Sequence, residues 1–525
     1  MRRLPFGLVA LLIGPLAAQT TRPERTEYRE TSSHADVLEF LDSLQRAGAG
    51  FWIGTLATSP EGRRVPYVVA SRPLVSDAAA ARRSGKPVIY LQGNIHAGEV
   101  EGKEVAQMLL RDLSLGPLRP LLDSVVVLVV PIYNADGNEH LEPGERNRPG
   151  QNGPDRVGEN LNGLRLNLNR DYVKMEAPET RGAAALLLAW DPDLFIDLHT
   201  TNGSYHGYAL TYATGLNPNG NPAQDLARDR FLPEVRERMR RRHARATFWY
   251  GNFRNQDPDS LGQGWETYDA RPRFGTNWIG LRGRLSILSE GYSNADFRTR
   301  ISTTYDFVRE ILSLAAEWRG TIAEVVAAAD HATRDSVTVR SVLGAPTMQE
   351  VVAEITGPAG DGDGGFARRA RTGVYRTIRM PVYDRFVPAR REAFAAAYLI
   401  PPHLAEVVTL LRRHGVAVER LTGGWQGTAE RFMIDSLTVG PLFEGHRTVQ
   451  LEGQWGTASG FTAIPGWFLV RTDQRLGILA AYLLEPASED GIATWNFLDR
   501  ELQARAPYPI VRSPAPVVAA AALVP

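Results

Sequence analysis

Apolar residues recur at helical spacing over residues 35–47, where Val37, Phe40, Leu41 and Leu44 share a face. Residues 64–71 and 88–91 read as strands, and Gly93 follows the second. Residues 100–113 return to helical periodicity. The run 124–133 is almost continuously β-branched, as expected of a strand buried on both faces. A polar loop rich in Gly, Pro and Asn occupies 134–163. Residues 178–190 predict a helix with Pro178 in its first turn. Two further apolar strands are expected at 194–198 and 285–289, and another helix at 304–329. Strands alternating with helices predict an α/β layer, with a mixed, mostly parallel sheet flanked by helices. In such sheets, sites gather beyond the C-terminal ends of the strands.

The pattern changes near Asp330–Ser336. Strands are expected at 337–343 and 351–356, a loop at 357–371, a helix at 404–413 and a strand at 416–421. Short strands are then expected to about Glu485, which suggests a separate α+β or β-sandwich domain. The Ala/Val/Pro-rich tail 512–525 is expected to fray. No internal repeat is evident.

The first residues change the picture of the N-terminus. A basic start (Met1, Arg2, Arg3) precedes the apolar run Leu4–Ala18, which ends in Leu16, Ala17 and Ala18. This is the layout of a secretory signal cleaved after Ala18, and the run is short for a membrane span. The expected organisation is a signal peptide at 1–18, a catalytic domain at 19–335 and an accessory domain at 336–525. The mature chain is expected to be exported, periplasmic or extracellular, without membrane insertion.

Composition narrows the chemistry. The 525 residues include no cysteine, so thiolate metal sites, thiol nucleophiles and disulfides are excluded. Any bound metal must use His, Asp or Glu. Lys plus Arg total 59 and so do Asp plus Glu, which gives no electrostatic case for nucleic acid as a partner.

Four clusters carry candidate chemistry. His96 and Glu99 stand three apart at a strand-to-helix turn, where both side chains can aim at one point. Imidazole nitrogen and carboxylate oxygen suit zinc when thiolate is lacking. Alone, the spacing is a weak signal, and a surface His beside a helix-capping Glu is the commoner source of it. His199 ends the strand at 194–198 and faces the same rim of the sheet. Two His and one Glu leave a fourth position open, as in catalytic zinc sites. Asn169 and Arg170 can grip a carboxylate, Arg through its forked N–H donors, although a turn with a solvated Arg has the same sequence. Glu290 ends the strand at 285–289, either as a solvated acid or as a proton acceptor beside the metal.

In that order and spacing, His96-x-x-Glu99, Asn169-Arg170, His199 and Glu290 resemble the zinc carboxypeptidases (the M14, carboxypeptidase A-like family) over about residues 25–320. The segment Gly54–Arg63 is similar to that family's lead-in. The closest likeness is to the bacterial, exported branch with an extra C-terminal domain. The resemblance implies one zinc ion on His96, Glu99 and His199, and Glu290 as general base and then proton donor. It implies that Asn169 and Arg170 hold the terminal carboxylate of a peptide substrate. An oxyanion-stabilising Arg is expected in the loop before Asn169, with Arg148 as first choice and Arg146 as second. Tyr268 is the candidate for a tyrosine that closes over substrate.

Three positions depart from the family pattern. Asn167 stands where an Asp usually orients a zinc-bound His, and it can accept only as a neutral partner. Gly98 stands where digestive members place an Arg, and Asp171 where an Asn is usual. The expected activity is hydrolysis of the C-terminal peptide bond. The alternatives are a zinc amidohydrolase acting on cell-wall peptides or N-acyl amino acids, and a non-catalytic exported zinc-binding module.

Overall fold

The computed structural model describes residues 19–357 and 369–524. The leader-like segment 1–18 lies outside the described residues. Eight strands form the central sheet: β1 (Phe51–Thr58), β2 (Arg64–Ala70), β3 (Val88–Gly93), β4 (Val126–Val130), β5 (Leu194–Thr200), β6 (Leu210–Ala213), β7 (Thr247–Trp249) and β8 (Leu285–Gly291). Their spatial order is β1-β2-β4-β3-β5-β8-β6-β7. The central run β4-β3-β5-β8 is parallel throughout, while β1-β2, β2-β4 and β8-β6 pair antiparallel. The expected mixed, mostly parallel sheet is therefore present.

The β-branched and aromatic residues of the parallel strands are buried because both faces are covered. Alternate side chains divide between two cores, as a period of two requires. Ile89, Leu91, Ile196 and Leu198 face one core, with helices α1 (Glu101–Ser114) and α3 (Phe297–Glu317) packed over it. Tyr90 and Phe195 point the other way and stack at 5.3 Å. That second core takes residues from helix α2 (Pro178–Trp190) and, in the same cluster, Tyr398, Val407, Leu411 and Leu479 from the C-terminal region. The C-terminal residues thus share the hydrophobic core of α2 and that face of the sheet.

The helix expected over 304–329 begins earlier, at Phe297, where Asp296 caps it through its bond from Thr299 N, and it breaks at Trp318 before a second helix, Arg319–Asp330. Strands 347–354 and 375–383 join 252–253 and 265–266 in a four-stranded sheet, so backbone pairing crosses residue 335. Farther along, a five-stranded sheet orders Val511–Ser513, Ala397–Ile400, Phe468–Arg471, Glu419–Leu421 and Ala521–Leu523, accompanied by helices Ala405–Arg413 and Gly477–Leu484. The region is β-rich with helices, matching the α+β expectation. The expected fraying of the tail is corrected: residues 511–513 and 521–523 are paired strands, and Val517 between them is fully buried. The tail's short runs gave no amphipathic period, and pairing with distant strands orders them. Among the described residues, no helix is long and apolar enough to cross a membrane.

His414, just past helix Ala405–Arg413, fastens the two regions. Its Nδ1 accepts from Trp278 Nε1 at 3.0 Å and its Nε2 meets Val173 O at 2.9 Å. Burial lowers its pKa to about 3, whereas an unfolded His titrates near 6.5. Between those values the unfolded chain binds the extra proton, so stability contributed by neutral His414 is lost as pH falls from 6.5 toward 3. Replacing His414 with Phe should lower the melting temperature at pH 7, because Trp278 N–H loses its acceptor. It should also reduce the further fall in melting temperature between pH 7 and 5, relative to wild type.

Candidate metal centre and its surroundings

The parallel register sets the site. Gly93 pairs with Leu198 across β3 and β5, and His199 pairs with Glu290 across β5 and β8, so the strand ends bring three chain segments to one rim. The turn after β3 is held close: a Cβ on Gly93 would lie 2.7 Å from the Gly102 carbonyl carbon, and one on Gly102 would lie 2.8 Å from Leu198 Cβ. Glu99 N donates to His96 O at 2.9 Å, which closes the turn that carries both side chains.

His96, Glu99 and His199 offer ligand atoms that all lie within 4.8 Å of one another. Glu99 Oε1 is 3.1 Å from His96 Nδ1, and Glu99 Oε2 is 2.9 Å from His199 Nδ1. The outer nitrogens are held from behind. His96 Nε2 lies 3.1 Å from Asn167 Oδ1, and His199 Nε2 lies 3.0 Å from Asp197 Oδ2. Asn169 N also donates to Asn167 Oδ1 at 3.0 Å, which identifies that atom as the oxygen. With His96 Nε2 donating to Asn167 Oδ1, the Nδ1 lone pair of His96 faces inward, and Nδ1 of His199 faces the same carboxylate. Two neutral imidazoles and one carboxylate, oriented in this way, fit a divalent zinc-like ion.

The charges of the cluster act strongly on one another. Burial raises the Glu99 carboxyl, but His96, Arg148 and His199 outweigh it and hold its pKa well below the usual range. Burial disfavours charge on His199, but Asp197 and Glu99 overcome it and raise its pKa well above the ordinary value. Glu290 is buried beside Glu99 and Asp197, and burial is the largest cause of its rise to about 8. A bound dication would favour its ionised form.

The other sequence candidates separate clearly. Arg148 is buried at the site and donates to Glu99 Oε1 (3.0 Å), Thr200 O (3.0 Å), Thr201 O (3.1 Å) and Gln151 Oε1 (3.3 Å). Four of its five N–H groups are thus engaged and one remains. Arg146 is exposed and pairs with Glu142 at 3.3 Å, away from the cluster. Asn169 Nδ2 approaches His199 Nε2 at 3.5 Å, and its Oδ1 accepts from Gly275 N. Arg170 lies over the Phe274 ring at 4.0 Å and gives one N–H to Asn169 O, with no carboxylate bonded to its fork among the described residues. Asp171 does not oppose it: its oxygens accept from Glu176 N and Ala177 N and it pairs with Lys174. Tyr268 is held by Thr276 Oγ1 at 2.8 Å.

Two site residues were not singled out from sequence. Asp197 is two positions before His199 on β5, so strand alternation puts both on one face, and that signal was available. Tyr250 lies under the field of Glu290 and Glu99, behind the larger effect of burial, and its ring is 5.7 Å from that of Tyr268. It comes from a short segment after β7, and nothing local marked it.

Comparison with known proteins follows the same outline. The model of the family described as "Zinc carboxypeptidase" matches residues 37–268, which include His96, Glu99 and His199. Residues 37–268 belong to the zinc carboxypeptidase family. The chain is 23% identical to "Carboxypeptidase 2" of Trichophyton rubrum over 478 residues, covering 86% of this chain and 81% of that protein. "Carboxypeptidase 2" of Trichophyton tonsurans matches at 23% over 479 residues, with the same shares covered. Among solved structures, a metallo-carboxypeptidase from Burkholderia cenocepacia is 18% identical, with 55% of this chain and 70% of that chain covered and a TM-score of 0.41. Glu290 lies beyond the segment matched by the family model and is placed by its register with His199.

Gly98 has a structural use here. A Cβ there would lie 2.5 Å from Arg148 Cγ and 2.9 Å from Gly158 O, so the missing side chain is the space through which Arg148 reaches Glu99. Gly98→Ala should displace Arg148 and cost about 1–3 kcal/mol through overpacking. A crystal structure of the variant should show the Arg148–Glu99 contact lengthened, and an unchanged contact would contradict this reading.

Proposed function

We propose that this protein is a zinc-dependent carboxypeptidase that removes the C-terminal residue of peptides with a free carboxylate. The observation that carries the proposal is the convergence of His96, Glu99 and His199 with Glu290 in register beside His199. Zinc held by those three residues would supply Lewis acidity toward the scissile carbonyl and the attacking water. In this reading residues 19–335 carry the catalytic domain and 336–525 an accessory region. In the same reading, the leader-like opening of the chain supports export from the cytoplasm.

The protein's own groups divide the remaining work. A Glu290 carboxylate oxygen accepts a proton from the attacking water and returns it to the departing amine nitrogen. Arg148 directs its remaining N–H toward the developing oxyanion, while its other donors keep Glu99 and the strand end in place. Arg170 has an open fork and Asn169 is buried next to it, so together they fix the substrate's terminal carboxylate. Tyr268 and Tyr250 bound the same space and exclude water from it.

Glu290→Gln should retain the metal and lower kcat by about 10²–10⁴-fold. Full activity in that variant, measured on the same peptide, would refute the base assignment. Arg170→Ala should raise KM about 10–100-fold for peptides with a free C-terminus, the size of a lost charge-assisted pair, and leave C-terminally amidated substrates unaffected. An equal loss on both would contradict the carboxylate clamp. Comparing peptides with N-acyl amino acids in the same assay separates this activity from an amidohydrolase that uses the same clamp.

A further inference from the structure

A β-hairpin of the C-terminal region, Phe432–Phe443 and His446–Trp455, reaches the turn that carries Asn167, Asn169 and Arg170. Phe443 pairs with His446, so the hairpin turns through two residues, Glu444 and Gly445. Both have positive φ, 51° and 80°. The second position suits glycine, whereas Glu at the first is strained where Asn or Asp would be easier. The strained residue touches the candidate site: Glu444 Oε2 accepts from Asn167 N at 3.1 Å, and Asn167 Oδ1 is the atom that holds His96 Nε2.

The tip is seated. His446 Nε2 meets Glu176 Oε1 at 2.8 Å and its Nδ1 meets Asn496 Oδ1 at 2.9 Å, while Arg273 lies 5.2 Å from the Phe443 ring centre. Around the Arg170 clamp, the other charges are matched: Asp269 pairs with Arg271, and Arg273 pairs with Asp490 at 2.7 Å. Glu444 has no Lys, Arg or His within ion-pair distance among the described residues. It is half-buried, and it acts on Arg170 more strongly than Asp269 does.

We propose that this hairpin tip completes the substrate site, and that Glu444 makes the site select peptides whose last residue is basic. The inference rests on the carboxypeptidase reading and names its substrate class. An uncompensated carboxylate beside a guanidinium clamp opposes every incoming terminal carboxylate, and opposes a second acid most. A cationic terminal side chain cancels that repulsion.

The test uses the full-length, metal-loaded protein and three peptides that differ only in a C-terminal Arg, Leu or Glu. Wild type should show kcat/KM highest for Arg and lowest for Glu, and Glu444→Gln should reduce the Arg-to-Glu ratio about 5–10-fold and raise kcat/KM for Leu, whose terminal carboxylate no longer meets the repulsion. Gln can still accept from Asn167 N, so the variant isolates the charge. Calorimetric binding of free arginine, leucine and glutamate to both proteins gives a second readout that does not require turnover, and the same order and the same loss are expected. A ratio unchanged by Glu444→Gln, in hydrolysis and in binding, would overturn the inference while leaving the carboxypeptidase reading intact. Absence of hydrolysis on all three peptides would sink the carboxypeptidase reading, and the binding series would still decide the role of Glu444.

Discussion

Everything at this site depends on one carboxylate held between two imidazoles. Glu99 places one oxygen near each histidine, while Asn167 Oδ1 accepts from His96 behind it and the Asp197 carboxylate lies 3.0 Å from His199 Nε2. Burial makes this arrangement costly without a positive charge at its centre, because a desolvated carboxylate needs compensation. Arg148 supplies part of it in the protein alone. The sequence spends three segments far apart in the chain to build this point, and the parallel register of β3, β5 and β8 brings their ends together.

The same register explains why the C-terminal residues cannot be treated as a loose attachment. A parallel sheet must be covered on both faces. Here α1 and α3 cover one and α2 the other, and Tyr398, Val407, Leu411 and Leu479 of the C-terminal region belong to the same core as α2. The region that shares this core also brings a hairpin to the turn carrying Asn167, Asn169 and Arg170.

Much of this was legible in the chain. The long apolar runs identified the buried strands, and strand-end positions located His199 and Glu290, because a buried strand that ends in a polar, chemically capable residue is informative by itself. The ability of Asn167 to replace an aspartate as acceptor followed from its amide oxygen, and the geometry agrees. Asp197 was overlooked although alternation on β5 marks it. Tyr250 and Glu444 carried no local signal, since their positions come from contacts distant in sequence. The tail was misread for the opposite reason: its composition suggests disorder, and only the strands at 397–400 and 419–421 show that it is paired. Arg148 already ranks ahead of Arg146 from sequence, and in the structure Arg148 passes over Gly98 to reach Glu99 while Arg146 pairs with Glu142.

The central claim is that His96, Glu99 and His199 hold a single divalent ion. Elemental analysis of purified protein, dialysed to remove loose metal, tests it directly when wild type is compared with His199→Ala and with a distant control, His403→Ala. The account predicts about one zinc-class ion per chain in wild type and in the control, and nearly none in His199→Ala. Equal metal content in all three proteins would contradict it.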